Sequence, residues 1–164
     1  MKFFKGIIIV CSFLLLSAVK SQVNLDSLWM VWNDTSKADT SKLKAIHKIA
    51  WDGYLFSNPD SVFYFAQMHY DFAIKVGDKK NMAKALKTQG VSFNIKGNYD
   101  KALEYYEKSL KISEKIGDEK GMGSSYNNIG NIYKGQGNYE KALEYYENSL
   151  KIKEEKDDKK GMGT

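Results

Sequence analysis

The residues that could do chemistry are few and scattered. His47 and His69 are the only histidines in this 164-residue chain, and Cys11 is its only cysteine. Cys11 lies in an apolar leader, so no thiol remains to complete a metal set with the two histidines. Each histidine has aromatic or apolar neighbours at helical spacing, which favours packing over ligation or proton transfer. Gly121, Gly123, Gly130, Gly135 and Gly137 follow no strand and precede no Gly-Lys-Ser/Thr, so they make no phosphate loop. The Glu/Lys runs at 104–120 and 144–160 are spaced for i,i+4 pairs on solvated helix faces, not for a general acid and base. The expectation is a chain that is not an enzyme, with no catalytic residue, no cofactor and no metal.

Composition narrows the partners. All 25 basic residues are lysine. That argues against nucleic acid, whose phosphates and guanines favour the arginine fork. The formal charge of +5 includes Lys2, Lys5 and Lys20 in the leader; the rest carries 22 lysines against 20 acids, or +2. No strong electrostatic steering follows. Apolar content of 43% and charged content of 27% are those of an ordinary folded chain.

What positions these residues is an internal repeat. Residues 77–116 and 117–156 align without a gap and match at 20 of 40 positions. The strongest stretch, Gly97-Asn98-Tyr99-Asp100-Lys101-Ala102-Leu103-Glu104-Tyr105-Tyr106-Glu107, returns 40 residues later from Gly137 to Glu147. Such a period predicts a solenoid in which each unit buries its apolar face against its neighbours. Each repeat reads as two helices, the first from about Asp78 to Lys96 and again from Asp118 to Gly135. Asp118 behind Gly117 is an N-cap signal, and Asn98 and Asn138 cap the second helices. Gly117 is a C-terminal stop. Residues 41–76 read as a degenerate first repeat, with Ser57-Asn58-Pro59-Asp60 opposite Gly97-Asn98-Tyr99-Asp100. Residues 22–40 read as an N-terminal arm or capping helix, with Trp29 and Trp32 on one face.

These residues resemble the tetratricopeptide repeat. The pattern falls on Leu86, Gln89-Gly90, Phe93, Gly97, Tyr99, Ala102 and Tyr106, and again on Tyr126, Ile129-Gly130, Tyr133, Gly137, Tyr139, Ala142 and Tyr146. Gln89 departs from the apolar preference, Ser109 and Ser149 replace the usual alanine, and the period is 40. The resemblance implies an all-α, right-handed superhelical solenoid of stacked antiparallel helix pairs. Gly90, Tyr99, Ala102, Tyr106, Gly130, Tyr139, Ala142 and Tyr146 are then its structural positions. Tyr106 and Tyr146 should point inward, with Tyr105 and Tyr145 nearer the neighbouring hairpin.

The family's frame implies a concave groove lined by the first helix of each pair. Its outward positions are Lys84, Lys87, Val91 and Asn94, then Ser124, Asn127, Asn128, Asn131 and Lys134. Asparagine amides can grip a peptide backbone, and lysines can neutralise an acidic side chain or terminal carboxylate. A protein or peptide partner is the implied ligand, and scaffolding the implied function.

The two ends carry further expectations. Residues 1–21 read as a signal peptide: Lys2 and Lys5, an apolar run over 7–19, and a cut between Ser21 and Gln22. That run is too short to span a bilayer. Export to the periplasmic or extracellular side follows. The Trp-Asn-Asp-Thr segment and Ala50-Trp51-Asp52-Gly53-Tyr54-Leu55-Phe56 resemble the start of Bacteroidetes sensors. Those place an exported repeat array before a membrane helix and an adenylate/guanylate cyclase or histidine kinase. Residues 157–164 echo 117–124, the start of a further, truncated repeat. The chain is thus expected to be the front of a longer protein. The alternative function is then the sensory input of such a signalling enzyme, which would meet a membrane only through a downstream helix.

Overall fold

The computed structural model describes residues 24–55 and 57–161, with side-chain surroundings as far as 155; the predicted signal peptide lies outside this range. Among the described residues the chain is all-helical. Helix α1 spans Leu25–Asn33 and α2 Asp39–Lys48, which runs into a π-helical turn, Ile49–Gly53. The hairpins follow: α3 Pro59–Lys75, α4 Lys79–Ile95, α5 Tyr99–Ile116, α6 Glu119–Gly135 and α7 Tyr139–Gly161. Each helix from α2 onward packs against the next, and α4 also touches α6. That is the predicted solenoid of stacked antiparallel pairs.

Punctuation explains the spacing. Gly77, Gly97, Gly117 and Gly137 all take left-handed backbone, with φ of 72°, 73°, 66° and 77°. They stand 20 residues apart, so every helix from α3 to α6 ends on the same kind of glycine. Asn58, Asp78, Asn98 and Asn138 accept from the backbone amides of Ser61, Asn81, Lys101 and Lys141 and start the helices that follow.

Asp118 departs from the expected cap, for α6 has no side-chain cap bond. Its counterpart Asp78 is held in place twice, by the backbone amide and the side-chain amide of Asn81. The residue 40 positions on is Gly121, which offers no second anchor. The Asp118 carboxylate turns instead to Lys80 Nζ on α4, 3.0 Å away.

One core cluster sits between α5 and α6: Ala102, Tyr106, Ile129 and Ile132, with Val91, Phe93, Leu103, Leu110, Tyr133 and the half-buried Tyr99 against it; a second set of buried residues, Leu43, Ile46, Ile49, Val62 and Ala66 among them, lies in the first hairpin. Helices α4 and α5 approach closely because position 90 is glycine. A Cβ there would lie 2.6 Å from the Tyr106 ring and 3.2 Å from the Ala102 carbonyl. Gly130 stands the same way over Tyr146 and Ala142. The off-pattern polar residues are absorbed by bonds. Ser109 Oγ donates to the Ala83 carbonyl at 2.8 Å, and Ser149 repeats this to Gly123 at 2.9 Å. Gln89, fully buried, donates its amide to Gln67 Oε1 at 2.7 Å, while its own Oε1 has no partner.

Tyr106 and Ala102 are buried, as is Ala142. Tyr139 is not in the core: it is 70% exposed, and Tyr146 is only half-buried. Tyr99 packs because α6 covers α5. Among the described residues no helix covers α7 in that way, so its equivalent stripe, with Leu143 and Leu150, meets solvent. Tyr105 bridges hairpins, stacking on Phe93 at 5.4 Å and edge-on to Phe63 of α3 at 6.0 Å. Tyr145 makes its ring contacts within its own hairpin, against Tyr133 and Tyr126 of α6, and packs on the α5–α6 cluster.

At the other end, α1 covers α3 through Trp29 on Phe65 at 5.4 Å and Trp32 on Phe72 at 5.2 Å. The first hairpin also brings the two histidines together, His69 fully buried and His47 half-buried, ring centroids 5.5 Å apart. Asn81 donates its Nδ2 to Asp78 and so presents Oδ1 to His69 Nε2 at 3.0 Å. His69 Nε2 must therefore carry the proton, an assignment made from the bonding network. Neither Nδ1 has a partner. Burial first, then the nearby Lys84, holds His47 down to about 3; burial likewise holds His69 to about 4, against the Asn81 bond that raises it.

Candidate functional site: the face shared by the first helices

Helices α4 and α6 lie side by side and carry every groove position named from the sequence. The structure divides those positions into three groups. Lys84 and Lys87 line a cleft between α4 and α6, a cavity of about 190 Å³. Lys87 reaches across to α6, its Nζ donating to Ser124 Oγ at 2.7 Å. Burial is the main cause that lowers the pKa of both lysines. The next is a neighbouring like charge, Lys120 for Lys84 and Lys84 for Lys87.

Asn127 and Asn128 line a second recess, between α6 and α7, with Ser149, Ile152 and Lys153. Its volume is about 320 Å³. Lys120 and Ser124 border both recesses, so the two run on from each other across α6.

Asn94, Asn131 and Lys134 line neither recess. Asn94 is hydrogen-bonded to the Tyr106 hydroxyl, whose pKa burial pushes well up. Asn131 Oδ1 accepts from the Tyr146 hydroxyl at 2.7 Å. Two of the four asparagines thus serve tyrosines of their own hairpins. Lys134 is exposed near the end of α6.

Sequence reasoning passed over Lys80, Lys120, Ser113 and Asp118, all of which line the first cleft. One signal was available: Lys80 and Lys120 stand 40 residues apart at the same register. Among the described residues no group of His, Asp and Glu could hold a metal ion, and no helix is long and apolar enough to cross a membrane.

Comparisons agree with this architecture. Residues 81–155 match the family model of the tetratricopeptide repeat. No curated protein matches the chain. Among solved structures, the chain superposes on the TPR domain of Arabidopsis FLU with a TM-score of 0.62 at 22% identity, covering 71% of this chain and 98% of that one. Aspartyl phosphate phosphatase F of Bacillus subtilis gives 0.68 at 19% identity over 74% of this chain. The apo form of RapI gives 0.65 at 21% over 94%. The chain spans 32% and 56% of the length of those last two proteins. At these identities the likeness is one of fold: a solenoid of stacked helix pairs like that of tetratricopeptide repeats.

Proposed function

We propose that this chain is a protein-interaction scaffold that holds an extended peptide of its partner along the face shared by α4 and α6. The carrying observation is the pair of adjoining recesses, one walled by Lys84 and Lys87, the other by Asn127 and Asn128. Lysines there would meet acidic side chains, and the asparagine amides would bond the peptide backbone in both directions. Asn94, Asn131 and Lys134 play a lesser part in this reading, because the first two are engaged by tyrosines.

The test is fluorescence anisotropy with a panel of extended peptides of graded acidity. Acidic members should bind, and Asn127→Ala with Asn128→Ala should weaken them by about tenfold, two lost polar contacts of roughly 0.7 kcal/mol each. Equal affinity for acidic and basic peptides would refute the reading.

The scaffold is exported in this proposal, on the strength of the basic start and short apolar run of residues 1–21. N-terminal sequencing of the secreted product should begin at Gln22; an intact Met1 on the exported protein would count against cleavage. The second reading, sensory input to a cyclase or histidine kinase, is supported by the resemblance of residues 50–56 and the Trp-Asn-Asp-Thr segment. A membrane helix and output domain encoded downstream of Thr164 would favour it; further repeats and a stop would sink it.

A further inference from the structure

The cleft between α4 and α6 and the recess between α6 and α7 are the same feature one repeat apart. Positions 80, 83, 84, 87, 109 and 113 wall the first, and the positions 40 further on wall the second. Three of these positions shrink on the way. Ala83 becomes Gly123, Lys84 becomes Ser124, and Lys87 becomes Asn127. The space widens accordingly, from about 190 Å³ to about 320 Å³.

Gly123 is the informative change, because nothing in the packing asks for it. It lies inside α6 with ordinary helical backbone. A Cβ there would find only Ser149 within reach, Oγ at 3.5 Å and the carbonyl oxygen at 3.9 Å, which is normal van der Waals contact. Gly90 and Gly130 differ, since a Cβ at either would strike a tyrosine ring. Alanine also fits the frame. Ser109 Oγ donates to the Ala83 carbonyl at 2.8 Å, just as Ser149 Oγ donates to the Gly123 carbonyl at 2.9 Å. Glycine inside a helix is less stable than alanine. What the missing methyl leaves in exchange is open space in the recess that Ile152 lines.

The chemistry of that space is apolar at its floor. Ile152 is half-buried, and the Ser149 hydroxyl is already committed to the Gly123 carbonyl. The charged members, Glu119, Lys120 and Lys153, are mixed in sign. Both lysines are exposed, so their stems can lie along a bound group while their heads stay in water. We propose that this recess is a side-chain pocket for one bulky apolar residue of the bound peptide, with Gly123 setting its preference. Its volume of about 320 Å³ reaches the roughly 300 Å³ at which ligand sites begin, which is room for one large side chain. The pocket rests on the scaffold reading and deepens it: Asn127 and Asn128 hold the peptide backbone at the rim, and an apolar side chain enters below them.

Fluorescence anisotropy on the full chain tests it with an extended acidic host peptide, alanine at its variable positions, and a set in which one phenylalanine is walked along those positions. At one register phenylalanine should strengthen binding by about tenfold over the host. Gly123→Leu fills the pocket and should bring that ratio back to about one. Gly123→Ala should reduce the ratio by about two- to threefold. It should also raise the melting temperature by about 2–4 °C, because the Cβ is tolerated and alanine is the better helix former. A phenylalanine gain that survives Gly123→Leu, or a melting temperature that falls in Gly123→Ala, would overturn the pocket. Host binding with no gain from phenylalanine at any register would overturn it too, while leaving the scaffold reading in place. No binding by any member of the set would overturn both.

Discussion

Tyr106→Ala should destabilise the protein by about 3–5 kcal/mol, the usual cost of emptying a large buried aromatic site. Tyr106 is 1% exposed, under the backbone of Gly90 and within the α5–α6 core. For a chain of this size the melting temperature should fall by about 10–15 °C. The repeat supplies its own control. Tyr146 occupies the same register over Gly130 but is half-buried, so Tyr146→Ala should cost clearly less. Gly90→Ala should cost about 1–3 kcal/mol, since its Cβ would meet the Tyr106 ring at 2.6 and 2.7 Å and that ring has nowhere to go. In the double variant the two penalties should not add, because the clash is with the ring that the second change removes. Equal losses for Tyr106→Ala and Tyr146→Ala would contradict this account of the core.

Acid should weaken the fold before the carboxylates titrate. His47 and His69 are held neutral, at about 3 and about 4, first by burial and then by surroundings that include Lys84. The Asn81 bond and Asp78 oppose this at His69 without cancelling it. Both bases are thus depressed in the folded state, while in the unfolded chain they protonate near 6.5. The unfolded state binds more protons as pH falls below 6.5, so stability is full above that value and is lost below it. The loss ends near pH 4 for His69 and near pH 3 for His47. Its slope cannot exceed about 1.4 kcal/mol per pH unit for each ring. The rings are 5.5 Å apart and each disfavours charge on the other, so the apparent titration belongs to the pair. Urea melts at pH 7.5, 6 and 5 would show the decline. The His47→Gln, His69→Gln double variant should flatten it over that range. A wild type as stable at pH 5 as at pH 7.5 would rule the mechanism out.

Much of the architecture follows from local chemistry. Glycines at a 20-residue spacing demand left-handed stops, and the Asn or Asp that follows each of them supplies the next helix's cap. A 3.6-residue apolar period then leaves stacking as the way to bury the stripes. The small residues Gly90 and Ala102 foretell a close helix crossing because only a missing side chain permits one. The exceptions are equally physical. Asp118 obeys the capping rule in type and place, yet its carboxylate crosses to Lys80, because Gly121 lacks the side chain with which Asn81 holds Asp78. Tyr139 reads like Tyr99 but is exposed, since burial is a property of the neighbouring helix and not of the residue.

The candidate site was legible only in outline. A repeat frame identifies which helix face points outward, so it found Lys84, Lys87, Asn127 and Asn128. It could not show that Asn94 and Asn131 bond the hydroxyls of Tyr106 and Tyr146, contacts made across a hairpin. Nor could it show that Ser113 of α5 is buried beside the start of α6 with its hydroxyl unmet. The order of helices, their stops and their stacking were determined by the sequence, because those depend on residues close in the chain. Which lysines share one cleft, and which carboxylate is already engaged there, were decided by tertiary structure. Charge balance in a recess depends on groups brought together from α4, α5 and α6.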